Sequence, residues 1–284
     1  MGFLTALAFL TRVPVRVRAG GDLARAAPWF PVVGALVGAG AGLIGALAAR
    51  WLGVLTGVLL LLTVDAVLTG LLHLDGLADT ADGLGVAGRE RRLAVMKDSA
   101  TGVFGVVAVV LALALTGSLL VGLASGLRAW GFIAVCAAGW AVSRCALVVL
   151  AAALPYAREE GTGRSFVAGL GTGQAFGAVL TTALVCAAAV VALTLTSPAG
   201  PAWADPTGWW AGTGHADRAY AVQAVVAVLG GAVLAAAAAW GVAAWARRSL
   251  GGVTGDVLGA AAQMTLITFL LGVSLVSALA WTVR

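Results

Sequence analysis

Residues 129–153 read AWGFIAVCAAGWAVSRCALVVLAAA, a run whose single charge is Arg144. A helix of that length reaches across the ~30 Å hydrocarbon core of a bilayer. Six more apolar runs lie on either side, at about 29–50, 52–74, 101–124, 175–196, 220–246 and 257–281. Each attains the ~20 residues that a crossing needs. The chain is 61% hydrophobic and only 10% charged, with 40 glycines and one lysine, Lys97. The expected fold class is therefore all-α: a polytopic integral membrane helical bundle of about seven transmembrane helices. Short loops leave no room for a soluble domain, so residues 1–284 form one membrane-embedded domain. The Ala/Gly richness suits close helix–helix approach in lipid and by itself does not indicate dimerisation.

Met1 to Thr11 is also apolar, but the basic residues Arg12, Arg16 and Arg18 follow it rather than precede it. That order is wrong for a secretory signal and fits an N-terminal interfacial helix. Cys136, Cys145 and Cys186 sit inside apolar runs without metal-type spacing, and read as small buried hydrophobes. With seven crossings, Arg12, Arg16, Arg18, Arg25, Arg89, Arg91, Arg92, Lys97, Arg158, Arg164, Arg247 and Arg248 share one face. Arg50, Arg128, Arg218 and Arg284 fall on the other. The positive-inside rule makes the first face cytoplasmic and accounts for the basic pI without nucleic acid, for which no aromatic-interleaved basic patch exists. The outer 197–219 loop, with Trp203, Trp209, Trp210, His215 and Asp217, reads as an interfacial aromatic belt with no chemistry of its own.

Chemistry collects on the inner face. His73-Leu74-Asp75-Gly76-Leu77-Ala78-Asp79-Thr80-Ala81-Asp82-Gly83 packs three carboxylates into a chain nearly devoid of charge. On a helix, offsets of 0, 4 and 7 fall within an arc of roughly 60°. Gly76 and Gly83 beside them leave space for a bulky ligand. A solvated acidic loop is the plain reading; a cation bound for work on a phosphate is the stronger one. Lys97, Asp98 and Ser99 then open a helix, whose N-terminus is a ready anion site, with Asp98 offering a further metal ligand. Arg158, Glu159 and Glu160 occupy a short inner loop. The glycine-rich turn from Leu250 to Gly259 carries Thr254 and Asp256, with backbone N–H groups free to fold around an anion. Within the spans lie Asp65 and Arg144. They pair with each other, or Arg144 faces a pyrophosphate.

Several stretches together resemble the adenosylcobinamide-GDP ribazoletransferases, or cobalamin (5′-phosphate) synthases, membrane enzymes that close the nucleotide loop of vitamin B12. They are Phe9-Leu10-Thr11-Arg12-Val13-Pro14-Val15, Phe30-Pro31-Val32-Val33-Gly34, Thr69 through Asp82-Gly83, Met96-Lys97-Asp98-Ser99, Ser143-Arg144, Tyr156-Ala157-Arg158-Glu159-Glu160-Gly161 and Gly255-Asp256-Val257-Leu258-Gly259-Ala260. They run from the N-terminus to the last span. Lys97 stands where relatives commonly have arginine, and neither Asp65 nor the Trp-rich outer loop resembles a family feature.

The resemblance implies a bacterial inner-membrane transferase with Mg²⁺ as cofactor, acting on adenosylcobinamide-GDP and α-ribazole or its 5′-phosphate. It implies no oligomeric state. Asp75 and Asp79 are expected as primary metal ligands, and Asp82 or Asp98 completes the site or takes the nucleophile's proton. Two ions, or one ion and a base, would use all these acids. Asp256 is the other base candidate. Arg12, Lys97, Ser99, Arg144, Arg158, Glu159, Glu160 and Thr254 are expected substrate contacts. His73 either orients Asp75 or the substrate, or is an ordinary interfacial histidine. The match at Ser143-Arg144 favours substrate over Asp65 as the partner of Arg144. Other Mg-dependent intramembrane transferases, of the CDP-alcohol phosphotransferase or polyprenyl transferase type, compete with this reading but expect two separated acidic motifs. A transporter would hold its polar groups at the midplane.

Overall fold

The structure is a computed structural model that describes residues 2–16, 23–160, 162–196 and 218–282. The outer-loop residues Trp203, Trp209, Trp210, His215 and Asp217, with Arg18, Gly161 and Arg284, lie outside the described residues. The elements are α1 (Gly2–Leu10), α2 (Leu23–Ala26), a 3₁₀ turn (Ala27–Trp29), α3 (Phe30–Leu52), α4 (Val54–Thr69), α5 (Leu72–Leu84), α6 (Arg89–Val95), α7 (Val103–Gly126), α8 (Ala129–Ala153), α9 (Thr162–Ala168), α10 (Thr172–Leu195), α11 (Arg218–Leu250) and α12 (Gly255–Thr282). Among the described residues the only β pairing is one isolated bridge, Tyr156 to Val253.

Six helical stretches are long and apolar enough to cross a membrane, and a seventh if the bent α4–α5 pair is counted. Expected and observed spans agree within a few residues, and the 129–153 run is α8 to the residue. The exception is 52–74. Hydropathy runs through Leu71 and Leu72, yet the helix stops at Thr69 and resumes at Leu72 turned by 88°. Gly70 ends α4 in the left-handed conformation (φ 61°) that glycine adopts without a Cβ penalty. Leu71 follows it there at φ 63°, a conformation that costs a branched residue about 1–2 kcal/mol. Two contacts hold the corner: Leu71 N–H donates to Ala66 O at 3.1 Å, and Arg12 N–H donates to Leu68 O at 2.7 Å. The Arg12 side chain then passes over the space a Cβ on Gly70 would fill.

At 16 residues α4 spans ~24 Å. Alongside α3 it returns the chain to the face where α1 lies. α5 turns away by 88° and lies against the first turns of α7 and α12, with Asp82 on Gly102 and Gly105 and Gly76 on Asp256 and Gly259.

α8 and α12 form the middle of the bundle, with 72% of each span buried, whereas α7, α10 and α11 are 22% buried and present Leu, Val and Phe outward. Gly34, Gly38 and Gly42 of α3 make a small-residue stripe against α8. A Cβ on Gly34 would sit 2.5 Å from Trp140 O, and one on Gly38 2.5 Å from Cys136 O. The glycine richness therefore serves packing within the chain, where close backbone approach replaces the missing hydrophobic drive. α1, the expected N-terminal helix, is fastened to α3 and α9 by the stacked rings of Phe9, Phe30 and Phe166, with centroids 5.3–5.9 Å apart.

Candidate active site

α5 holds Asp75, Asp79 and Asp82 on one helix, as their spacing requires, but in three environments. Asp75 is exposed, Asp79 half-buried and Asp82 buried. Both oxygens of Asp82 are spent on α7: Oδ2 accepts from Gly102 N–H at 2.7 Å and Oδ1 from Gly105 N–H at 2.8 Å. The anion site expected at this helix N-terminus thus exists, and the anion filling it is the protein's own carboxylate. Asp82 is a cap supplied from another helix, and any part it takes in metal binding or catalysis is taken with both oxygens already accepting backbone N–H groups.

Asp98 is exposed and turned into its own loop, accepting Ala100 N–H at 3.0 Å. Lys97 and Ser99 are exposed beside it.

The acid that joins Asp75 and Asp79 comes from the far end of the chain. Gly76 lies against Asp256 and Gly259 so closely that a Cβ there would meet Asp256 O at 2.7 Å. This glycine admits a helix rather than a ligand, and Gly83 is likewise covered by the Met96 side chain. The crossing of α5 and α12 brings the Asp256 carboxylate into the field of Asp79. Burial, then the charges of Asp256 and Asp75, push the Asp79 carboxyl up to about 6, against a smaller opposing pull from Arg158.

Arg158 is the cluster's cation. Its Nη2 donates to Asp256 Oδ2 at 2.7 Å and to Met96 O at 3.2 Å. Its Nε is buried without a partner among the described residues. Thr254 is fully buried. Its hydroxyl accepts Val257 N–H at 3.2 Å, capping α12, and donates to Asp256 Oδ2 at 3.3 Å. In the glycine turn before it, Val253 N–H donates to Pro155 O at 2.9 Å, and Ala157 N–H donates to Val253 O at 2.8 Å. Glu159 and Glu160 are exposed on the same loop.

One residue that the sequence presented as plain inner-loop charge has a definite job. Arg89 donates from Nε to Leu250 O at 2.8 Å and from Nη2 to Ala157 O at 2.9 Å. It thereby ties α6, the end of α11 and the Arg158 loop together. Nothing in a lone arginine within Arg89-Glu90-Arg91-Arg92 signals this.

Arg144 is 4% exposed and has an internal partner: its Nη2 lies 3.8 Å from Asp65 Oδ1. Trp140 Nε1 donates to the same oxygen at 2.7 Å, and Arg144 Nη1 donates to Ser143 Oγ at 3.1 Å. Trp140 was not legible as part of this group. The pairing is the alternative that the sequence reading ranked second. His73 is buried against α12, its Nε2 without a partner among the described residues.

Among the described residues no three His, Cys, Asp or Glu side chains are gathered tightly enough to cage an ion. Mg²⁺ does not need such a cage. It takes one or two carboxylates and keeps waters or substrate phosphates in its other positions. Two hard-oxygen ligands one turn apart, at the edge of a cluster with excess negative charge, fit it.

The profile of the family described as cobalamin-5-phosphate synthase matches residues 2–274. The chain is 37% identical to a Chlorobium chlorochromatii protein named adenosylcobinamide-GDP ribazoletransferase, over 93% of this chain and 92% of that one. It is 34% identical to proteins of the same name from Klebsiella pneumoniae (strain 342) and Escherichia coli O139:H28, over 95% of this chain and 97% of each. No solved structure matches it.

Proposed function

The chain belongs to the cobalamin-5-phosphate synthase family, and from that premise we propose that it performs the last nucleotide-loop step of cobalamin biosynthesis. It transfers adenosylcobinamide phosphate from adenosylcobinamide-GDP to α-ribazole or α-ribazole 5′-phosphate, releasing GMP. The observation that carries the site assignment is the convergence of Asp75 and Asp79 of α5 with Asp256 of α12 around Arg158.

The acceptor's hydroxyl oxygen bonds to the phosphorus next to cobinamide, and the bond from that phosphorus to the GMP phosphate oxygen breaks. Such a transfer needs charge neutralisation and alignment more than covalent help. Asp75 and Asp79 would hold Mg²⁺, which when bound supplies neutralisation on the phosphate oxygens. Arg158 adds a guanidinium fixed by Asp256 and Met96. Asp256 Oδ2 is fixed by Arg158 and Thr254, and this leaves Oδ1 oriented to receive the hydroxyl proton. Lys97 and Arg12, exposed on the same face, serve the leaving nucleotide's phosphate. The twelve-to-four division of basic residues supports a bacterial inner-membrane protein with this face in the cytoplasm.

The test is GMP release from adenosylcobinamide-GDP by membranes carrying this protein, with α-ribazole or its 5′-phosphate and Mg²⁺. Absence of GMP with both acceptors overturns the proposal. Single cysteines at 91 or 160 on a cysteine-free background, labelled by an impermeant reagent in intact cells, test the orientation; labelling from outside reverses it.

A further inference from the structure

A cavity of about 440 Å³ opens where α8 ends and α9 begins, lined in part by the Pro155–Tyr156 stretch that leads to Arg158. Its floor is the small-residue end of α8, Ala151 to Ala153. Tyr156 and Val167 wall it, and Arg164 is its one cationic lining residue. The Tyr156 ring is packed against the Gly163 backbone. The Arg164 guanidinium is steadied by a hydrogen bond to Glu159 O.

The cavity is also mechanically joined to the cluster. Its Pro155–Tyr156 wall is pinned to Val253 by the two backbone bonds that fix the loop before Asp256. Arg158, two residues beyond Tyr156, makes the ion pair with Asp256. A ligand seated here lies one loop away from the proposed proton acceptor.

Size and lining narrow the ligand's class. The volume belongs to the ~300–1,000 Å³ range of small-molecule pockets, and it suits one nucleotide rather than a corrin ring carrying GDP. An aromatic wall, an apolar floor and a single guanidinium match a flat base, its sugar and one phosphate.

Resting on the function proposed above, we propose that this cavity is the acceptor site. It takes a ribosylated aromatic base with its ring against Tyr156 and its 5′-phosphate, where the acceptor carries one, on Arg164. The donor binds elsewhere on the face.

Steady-state kinetics in phospholipid-free detergent test this, with α-ribazole, α-ribazole 5′-phosphate and adenosylcobinamide-GDP each varied. Arg164→Gln should raise KM for the 5′-phosphate about tenfold, and leave KM for α-ribazole and for the donor within about twofold, since it removes one charge-assisted contact. Tyr156→Ala should raise KM for both acceptors about tenfold and spare the donor. Ala168→Phe narrows the cavity without deleting a polar group, and should raise KM for both acceptors even if Arg164→Gln fails to fold. Unchanged acceptor KM in Tyr156→Ala and Ala168→Phe overturns the proposal, as does an Arg164→Gln effect that is equal for the two acceptors or falls on the donor. Wild-type protein that releases no GMP would refute the underlying function instead, so the two failures are distinct.

Discussion

Two groups of charges in this molecule are built on opposite terms. Inside the bundle, Asp65 and Arg144 are one acid and one base, both largely buried, with Trp140 and Ser143 supplying further hydrogen bonds. At the inner-loop face, Asp75, Asp79 and Asp256 lie within one another's field, with one guanidinium, Arg158, paired to Asp256; burial, then the repulsion of Asp256 and Asp75, raises the Asp79 carboxyl. The first group is balanced, as a charge in a low-dielectric interior must be. The second has an excess of negative charge in partial contact with solvent, an arrangement that a cation or a cation-bound substrate completes. Balance is what a structural pair needs, and imbalance is what supports the site proposed at the second group.

The largest effect should come from the unbalanced group. Asp75→Asn and Asp79→Asn are each expected to lower kcat/KM by about 10²–10³-fold, the scale of removing one transition-state stabiliser. Chelation with EDTA should abolish turnover, and Mg²⁺ should restore it. GMP-release rates normalised to membrane protein level are the measurement. Wild-type turnover in either variant would mean that the acids do not form the site.

Arg144→Gln should act on the other side of the comparison, on stability. It leaves Asp65 buried without its counter-charge, at a cost of roughly 2.5–3.5 kcal/mol on insertion scales. Asp65→Asn combined with Arg144→Gln should recover most of that loss. Thermal unfolding in detergent reads both. A variant that keeps its melting temperature but needs more adenosylcobinamide-GDP would return Arg144 to the substrate.

How far these roles were legible depends on the kind of signal. The seven crossings are written in run length, and all but one run survive in three dimensions. The exception, 52–74, fails because hydropathy is blind to conformation: Leu71 and Leu72 are as apolar as the residues before them. Only Gly70 marks the corner. Spacing placed Asp75, Asp79 and Asp82 on one helix but not what packs against that helix. Asp82 therefore read as a ligand until α7 was seen to use it, and Gly76 as open space until α12 was seen to fill it. The meeting of Asp256 with Asp79 joins residues 177 positions apart, and no local pattern records it. Counting crossings puts the inner segments on one face, and Arg89 on Leu250 and Ala157, with Arg158 on Met96 and Asp256, brings several of them into contact.

Asp82 offers a smaller, sharper contrast with its helix-mates. Asp82→Ala removes a charge-assisted cap on α7 and should cost about 1–2 kcal/mol of stability. Asp82→Asn retains one acceptor and should cost less. In both variants the turnover per folded molecule should remain far closer to wild type than in Asp79→Asn. An activity loss as deep as that of Asp79→Asn, with α7 intact by thermal unfolding, would place Asp82 among the ligands after all.

The smallest expected effect tests the imbalance directly. The Asp79 carboxyl is raised on folding, from an ordinary value near 3.8 to about 6. Between those values the folded chain holds a proton that the unfolded chain has lost. Stability contributed by this group therefore falls as pH rises through that window, and the whole penalty stands above it. A cation at Asp75 and Asp79 offsets the repulsion only where the carboxyls are ionised. Mg²⁺ should accordingly raise the melting temperature by a few degrees at pH 7.5 and by less at pH 5. In Asp79→Asn the difference between the two pH values should shrink or vanish. An Mg²⁺ shift that is equal at both pH values, or larger at pH 5, would show that the excess charge on this face is not what the ion answers.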